Sequence, residues 1–214
     1  MLGYYGYTVW LTYLSLALST TGIIFAAEKN PLAAIICLLL CGICDMFDGK
    51  VARTKKNRTE NEKKFGIQID SLSDIVAFAI LPSSIGYCLG SLYIFEKLPF
   101  MKIIFIAIFA LYNIAALARL AFFNVAEEER QNETDEVRHD YLGLPVTNTA
   151  GVFPILYCLS RFMKDAAFTY LYLAFIVLCG ILFVTKIKIK KPGTKYLIFC
   201  VIAGIIIITA LILG

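Results

Sequence analysis

The sequence predicts an all-α membrane protein, a polytopic bundle of six to seven transmembrane helices. Hydrophobic residues make up 59% of its 214 positions and charged residues only 17%, against roughly 45–50% and about 25% in a typical soluble domain. The apolar residues fall in long blocks, and about 20 such residues are enough to cross the hydrocarbon core of a bilayer. Because a backbone in lipid must satisfy its own hydrogen bonds, each block is predicted to be a helix.

Seven blocks are candidates for membrane spans. They are Tyr7–Ala27, Leu32–Val51, Ile69–Leu92, Phe100–Val125, Leu144–Phe162, Ala166–Thr185 and Tyr196–Leu213. We expect a single domain over residues 1–214, with a core of about residues 8–190 and an additional C-terminal helix over 194–214. The first block is too long for a signal-peptide core and follows no basic stretch, so it is expected to remain as a helix. Gly86-x-x-x-Gly90 in the third block predicts a tightly packed or dimeric helix.

The basic residues predict an orientation. Thirteen of the 20 lysines and arginines lie in the connections that follow the second, fourth and sixth blocks. Connections rich in basic residues stay in the cytoplasm, which predicts a cytoplasmic N-terminus in the plasma (inner) membrane. The net charge of +4 is therefore interpreted as a sign of topology, and no nucleic-acid partner is expected.

Four aspartates inside the apolar blocks are the strongest functional signal. Asp45 and Asp48 lie at the cytoplasmic end of the second block, and Asp70 and Asp74 lie at the same end of the third. A carboxylate in a membrane helix costs about 2.5–3.5 kcal/mol on insertion scales, so such residues are functional by default. The i, i+3 and i, i+4 spacings place each pair on one helical face. If the two helices are antiparallel neighbours, all four side chains meet at one depth, facing the cytoplasm.

Divalent cations would stabilise such a cluster. Four carboxylates repel one another, and only Lys50 and Arg53 lie near them in sequence. A ligand set made only of oxygens suits hard ions such as Mg²⁺, Mn²⁺ or Ca²⁺. Two alternatives stay open: the aspartates pair with basic residues to hold the helices together, or they line a proton or ion pathway. Gly49 and Gly66 favour a phosphate site because they leave the helix backbone open to a ligand, and Arg53 can clamp phosphate oxygens with two hydrogen bonds.

The full pattern of aspartates, glycines and arginine resembles the signature of a known family. It reads Asp45-x-x-Asp48-Gly49-x-x-Ala52-Arg53, twelve residues, Gly66-x-x-x-Asp70-x-x-x-Asp74. This closely resembles the signature of the CDP-alcohol phosphotransferases, membrane enzymes that make phospholipids, and the similarity covers most of residues 8–190. The twelve-residue connection is longer than is usual in that family. We interpret the excess, around Arg58–Lys64, as a hydrophilic loop insertion.

The resemblance implies a role for each signature residue. Two divalent cations, Mg²⁺ or Mn²⁺, would be held on the diphosphate of a CDP-linked lipid by the four aspartates, Asp45, Asp48, Asp70 and Asp74. The CDP pocket would be lined by Asp48, Gly49, Ala52, Arg53 and Gly66. Asp74 would also be the catalytic base that deprotonates the acceptor alcohol. A homodimer is expected from the family alone.

Three further segments are similar to the membrane-embedded phosphatidylserine synthases. They are Asp70–Phe78 with Leu81-Pro82-Ser83, Ala118–Asn124, and Gly143–Val146. Arg119 is the only arginine in the interior of a membrane block away from the signature, at about the depth of Asp74; Arg161 lies at the very end of the fifth block. We interpret it as the group that binds the carboxylate of L-serine; the alternative is that it pairs with one of the aspartates.

The predicted function is transfer of a phosphatidyl group from CDP-diacylglycerol to the hydroxyl of L-serine, with release of CMP. One alternative is the same chemistry with another acceptor, glycerol 3-phosphate or an inositol phosphate. These acceptors carry a phosphate and would favour more basic residues at the site. An alternative of another class is an ion-binding membrane protein without enzymatic activity.

Overall fold

The computed structural model describes residues 3–4, 6–55, 57–133, 140–190 and 209. Within these residues the chain forms seven α-helices: α1 (Trp10–Ala27), α2 (Pro31–Thr54), α3 (Glu60–Ile75), α4 (Leu81–Tyr93), α5 (Met101–Glu133), α6 (Thr149–Cys158) and α7 (Asp165–Val184). A π-helical segment, Val76–Ile80, joins α3 to α4, and short 3-10 turns precede α1 and flank α6. The only strands in this part of the chain are a short antiparallel pair, β1 (Asp140–Leu142) and β2 (Lys188–Lys190). The prediction of an all-α polytopic bundle is confirmed.

Five helical segments of the described residues are long and apolar enough to cross a membrane. They are Tyr7–Ala27, Pro31–Thr54, Glu60–Tyr93, Met101–Glu129 and Asp165–Val184, and they correspond to the first four predicted blocks and the sixth. The fifth block is also helical, but its α-helical part has only ten residues and contains Pro154. The seventh block and the expected helix over 194–214 lie outside the described residues, apart from residue 209.

The connection between α2 and α3 is shorter than the sequence analysis predicted. The interpretation of residues 58–64 as a loop is wrong for residues 60–64, which form the start of α3. The Thr59 hydroxyl accepts a hydrogen bond from the Glu62 amide at 3.2 Å, and the Glu62 carboxylate accepts one from the Thr59 amide at 3.0 Å. This reciprocal capping satisfies amides that a helix start otherwise leaves without partners. The polar turn therefore extends α3 beyond the apolar block that begins at Ile69.

A π-helical segment anchors the helix that carries Asp70 and Asp74. Pro82 has no amide proton, so the Phe78 carbonyl four residues earlier loses its usual helical hydrogen bond. The Tyr112 hydroxyl of α5 donates to this carbonyl at 2.8 Å, and the Thr149 hydroxyl of α6 reaches it at 3.3 Å. Two other helices thus hold the backbone just beyond Asp74, which fixes how α3 is presented to its neighbours.

Small residues allow close packing around these helices. Gly42 of α2 packs directly against the Ala150 side chain of α6. Gly86 and Gly90 of α4 are covered within the chain by aromatic rings, those of Phe109, Tyr172, Phe95 and Phe105. The predicted tight packing of the Gly86-x-x-x-Gly90 face is therefore explained by contacts inside one chain.

Candidate active site

Three aspartates from two helices meet at one place. One carboxylate oxygen each from Asp45 of α2 and from Asp70 and Asp74 of α3 lies within 4.8 Å of the other two. Asp74 is buried, whereas Asp45 and Asp70 are half-buried. The spacing of four residues between Asp70 and Asp74 places both on the face of α3 that Asp45 faces from α2.

Asp48 lies beside the same group. Its carboxyl group is within hydrogen-bonding reach of the Asp70 carboxyl group. Asp48 follows Asp45 by three residues, so both side chains leave α2 on the same side. The structure therefore brings together the four aspartates that the sequence analysis singled out.

The cluster has the donor set and the dimensions of a site for a hard divalent cation. Oxygen ligands of Mg²⁺ or Ca²⁺ lie about 2.0–2.6 Å from the ion, so two ligands of one ion are at most about 5 Å apart. The 4.8 Å limit on the three carboxylate oxygens fits this geometry. Arg119 is close enough to Asp74 to attract its carboxylate, but one guanidinium does not balance four carboxylates. The residues present therefore fit a metal ion.

Arg53 and Gly49 form the side of the site contributed by α2. The Arg53 side chain turns back along the helix, so its Nη2 atom would lie 3.9 Å from a Cβ atom at Gly49. Arg53 is solvent-exposed, and the open backbone of Gly49 next to Asp48 leaves room for a ligand beside the guanidinium. A phosphate group at this position would meet both the arginine and the carboxylate cluster.

Gly66 and Ala52 form the side that faces the α2–α3 connection. A Cβ atom at Gly66 would lie 2.6 Å from the Nη2 atom of Arg58. The same guanidinium donates to the Ala52 carbonyl at 3.5 Å. Arg58 was missed as a candidate site residue because it lies in the connection that we interpreted as a loop insertion. Its proximity to Gly66 and Ala52 depends on how the ends of α2 and α3 face each other, which no local pattern in the sequence indicates.

Arg119 is buried in α5, with 7% of its surface exposed. Its Nε atom donates to the Leu144 carbonyl at 3.0 Å, and its guanidinium lies 5.0 Å from the centre of the Phe123 ring. Leu144 follows Gly143, which has a φ of 78°. The Gly143 amide donates a hydrogen bond to the Ile187 carbonyl at 2.8 Å, which holds this turn next to the residues that follow α7. Arg119 is therefore near Asp74 and is oriented by backbone from a different part of the chain.

Two hydrogen bonds that the sequence analysis missed set the rotation of α3. The Asn124 amide of α5 donates to the Ser71 hydroxyl at 2.8 Å, and the Ser73 hydroxyl donates to the Thr12 carbonyl of α1 at 3.3 Å. Ser71 and Ser73 lie between Asp70 and Asp74 along the helix, so these bonds help to fix the rotation that turns the aspartates toward α2. The signal in the sequence was the two serines, one on each side of Leu72, between the two aspartates.

Comparison with known proteins identifies the family. A family model described as CDP-alcohol phosphatidyltransferase matches residues 8–187, a range that contains the whole cluster.

Three relatives are each called CDP-diacylglycerol–serine O-phosphatidyltransferase. The protein of Helicobacter pylori is 31% identical over 81% of this chain and 67% of its own length. The protein of Mycobacterium leprae is 28% identical over 86% of this chain and 58% of its own. The protein of Bacillus subtilis is 29% identical over 78% of each chain. The resemblance drawn from the aspartate signature is confirmed, and the chain belongs to the CDP-alcohol phosphatidyltransferase family.

Proposed function

We propose that this membrane protein transfers the phosphatidyl group of CDP-diacylglycerol to the hydroxyl of L-serine and releases CMP. The observation that carries the proposal is the meeting of Asp45, Asp70 and Asp74 from two helices within 4.8 Å, inside the matched family range. The names of the relatives in three bacteria support serine as the acceptor. A non-enzymatic ion-binding role is not favoured by these similarities.

The proposed roles follow from the arrangement of the side chains. Asp45, Asp48, Asp70 and Asp74 would hold two divalent cations, Mg²⁺ or Mn²⁺, and bound cations would stabilise negative charge on the attacking and leaving oxygens. Arg53 and the small residues Gly49, Ala52 and Gly66 would line the pocket for the CDP group. Positioning and charge stabilisation account for most of the catalysis in phosphoryl-type transfers.

Asp74 is the proposed base. Its carboxylate takes the proton of the serine hydroxyl as the serine oxygen bonds to the phosphorus that carries the diacylglycerol. The bond from that phosphorus to the bridging oxygen breaks, and its electron pair leaves on CMP. Asp74 is the buried member of the cluster and lies near Arg119, so an acceptor whose hydroxyl is next to Asp74 could place its carboxylate at that arginine.

The proposed setting is the plasma (inner) membrane with the site on the cytoplasmic side. The basic connection after α2 lies at the same end of the bundle as the aspartates, and basic connections stay in the cytoplasm. A water-soluble acceptor and the CMP product would then exchange with the cytoplasm, while the lipid tails stay in the bilayer. The family resemblance further predicts a homodimer.

An acceptor panel tests the proposed function. Purified protein is supplied with CDP-diacylglycerol and Mg²⁺, and CMP release is measured with L-serine, ethanolamine, glycerol 3-phosphate or an inositol phosphate. We expect serine to give the fastest release. Arg119 is the one basic residue that we propose for binding the acceptor, and its single charge matches the single carboxylate of serine. Faster release with glycerol 3-phosphate or the inositol phosphate would replace serine by that acceptor, and no release with any alcohol would overturn the proposal.

The Arg119→Lys variant tests how serine is selected. Arginine can meet a carboxylate with two parallel hydrogen bonds that lysine does not reproduce, and hydrogen bonds to charged groups contribute about 1.5–3 kcal/mol. We expect the KM for serine to rise roughly 10- to 100-fold, while the KM for CDP-diacylglycerol changes little. Ethanolamine lacks the carboxylate and is expected to be a poor acceptor for the parent protein.

The ratio of serine to ethanolamine use separates the two interpretations of Arg119. If Arg119 braces Asp74, the lysine variant changes the metal dependence and leaves the ratio as it was, and the serine-binding role is then wrong. Arg161→Lys is a matched control, because Arg161 is exposed in the 3-10 turn after α6, at the far end of that helix from Leu144.

A further inference from the structure

Arg58 lies between the ends of α2 and α3 and contacts both helices. Its Nη2 atom donates to the Glu62 carbonyl of α3 at 3.2 Å, and its Nη1 atom donates to the Ala52 carbonyl of α2 at 3.5 Å. The second distance is long for a hydrogen bond of this type. The guanidinium therefore bridges the two helix ends with one good contact and one weak one.

One nitrogen of this guanidinium is buried without an acceptor. The Arg58 Nε atom has no hydrogen-bond partner in the part of the chain that the structure describes. A buried donor without a partner is destabilising, more so in a charged group, and such groups are rare in native structures. The Glu62 carboxylate accepts from Lys55 at 2.7 Å and from the Thr59 amide, and it does not accept from this nitrogen.

The guanidinium also occupies the space that Gly66 leaves open. A side chain at Gly66 would collide with Arg58 Nη2 at 2.6 Å. Gly66 precedes Asp70 by one helical turn, about 6 Å along the axis, toward the polar start of α3. A donor lipid keeps its tails in the bilayer and its diphosphate on the aspartates, so its nucleoside end extends over Gly66 toward water.

We infer that Arg58 is a further binding residue for the donor, and that its guanidinium bonds to an oxygen of the cytidine monophosphate end. The inference rests on the proposed function, because it takes the donor to be a CDP-linked lipid. A planar guanidinium with five donors suits phosphate and carbonyl oxygens. Arg58 belongs to the longer connection of this chain and lies outside the aspartate signature.

Binding of soluble nucleotides tests this role apart from turnover. The Kd of CDP and of CMP is measured by calorimetry on the detergent-purified full chain with Mg²⁺ present. For Arg58→Ala we expect both Kd values to rise about 10- to 100-fold, the range that loss of a charged hydrogen bond gives. For Arg58→Lys we expect a smaller rise, because the charge stays while the fork of donors is lost. The KM for serine should not change.

Lys63→Ala is the matched control. Lys63 is also a cation at the start of α3, but it is exposed and paired with Glu60 at 2.8 Å, so its removal should leave both Kd values unchanged. A thermal unfolding curve for each variant separates binding from folding. A lower Tm for Arg58→Ala with unchanged Kd values would show that Arg58 only ties the helices together, and would overturn the inference.

Three other outcomes are also decisive. Weakened CDP binding with unchanged CMP binding would place Arg58 on the second phosphate and contradict contact with the nucleotide end. If the parent protein binds neither CDP nor CMP, the proposed function fails and this inference fails with it. If the parent binds both and transfers to an acceptor other than serine, the serine assignment fails while the role of Arg58 stands.

Discussion

Asp45→Asn, Asp48→Asn and Asp70→Asn are each expected to abolish CMP release while the protein still inserts into the membrane. Removing one hydrogen-bond donor that stabilises charge in the transition state lowers kcat by a factor of about 10²–10³. We expect a larger loss here, because each substitution removes charge that two cations share. The measurement is CMP release from CDP-diacylglycerol with L-serine, at saturating Mg²⁺ or Mn²⁺, normalised to purified protein.

Asp165→Asn is the matched control for these three variants. Asp165 is an exposed aspartate in the first turn of α7, and its replacement removes one carboxylate without touching the cluster. Chelation of divalent ions should stop the parent enzyme, and addition of Mg²⁺ or Mn²⁺ should restore it. Full turnover by any one of the three cluster variants would contradict the binding of two cations by these residues.

Asp74→Asn is expected to lose turnover while it still binds the CDP-linked lipid. A general base contributes about 10²–10⁴-fold, and a base that also ligates a cation should lie at or beyond the upper end. An asparagine keeps the size of the buried side chain but cannot take the proton from the acceptor. The measurement pairs kcat with the Kd of the CDP-linked lipid in the same preparation.

The comparison with Asp45→Asn gives this prediction its control. If Asp74 is the base, the Kd of the lipid rises less for Asp74→Asn than for Asp45→Asn, whereas kcat falls for both. An equal loss of lipid affinity in the two variants would mean that Asp74 is a cation ligand and not the base.

The aspartate cluster was predictable because it depends on few facts. Spacings of three and four residues place Asp45 with Asp48, and Asp70 with Asp74, on single helical faces. The length and apolarity of the blocks then require helices. The distance of Arg119 along its block likewise predicted a position near Asp74, and its charge acts on the Asp74 carboxylate. These features are local to a helix, and periodicity is the information that a sequence carries most directly.

The features that were missed depend on contacts between helices or on a polar helix start. Thr59-x-x-Glu62 is a readable capping signature, but the polar composition of residues 60–64 led us to interpret it as a loop. The carbonyl that orients Arg119 comes from Leu144, 25 residues away along the chain, and no local pattern indicates such a contact. The same holds for Arg58, whose role depends on how the ends of α2 and α3 face each other.

The most direct test of phosphatidyl transfer to serine measures both products of a single reaction. Purified protein in lipid nanodiscs receives CDP-diacylglycerol, labelled L-serine and Mg²⁺, and labelled lipid and CMP are counted over time. We expect equal amounts of lipid-linked serine and CMP, and no CMP above background when serine is left out. CMP release without serine, or serine that never enters the lipid fraction, would contradict transfer of the phosphatidyl group to serine at the aspartate cluster.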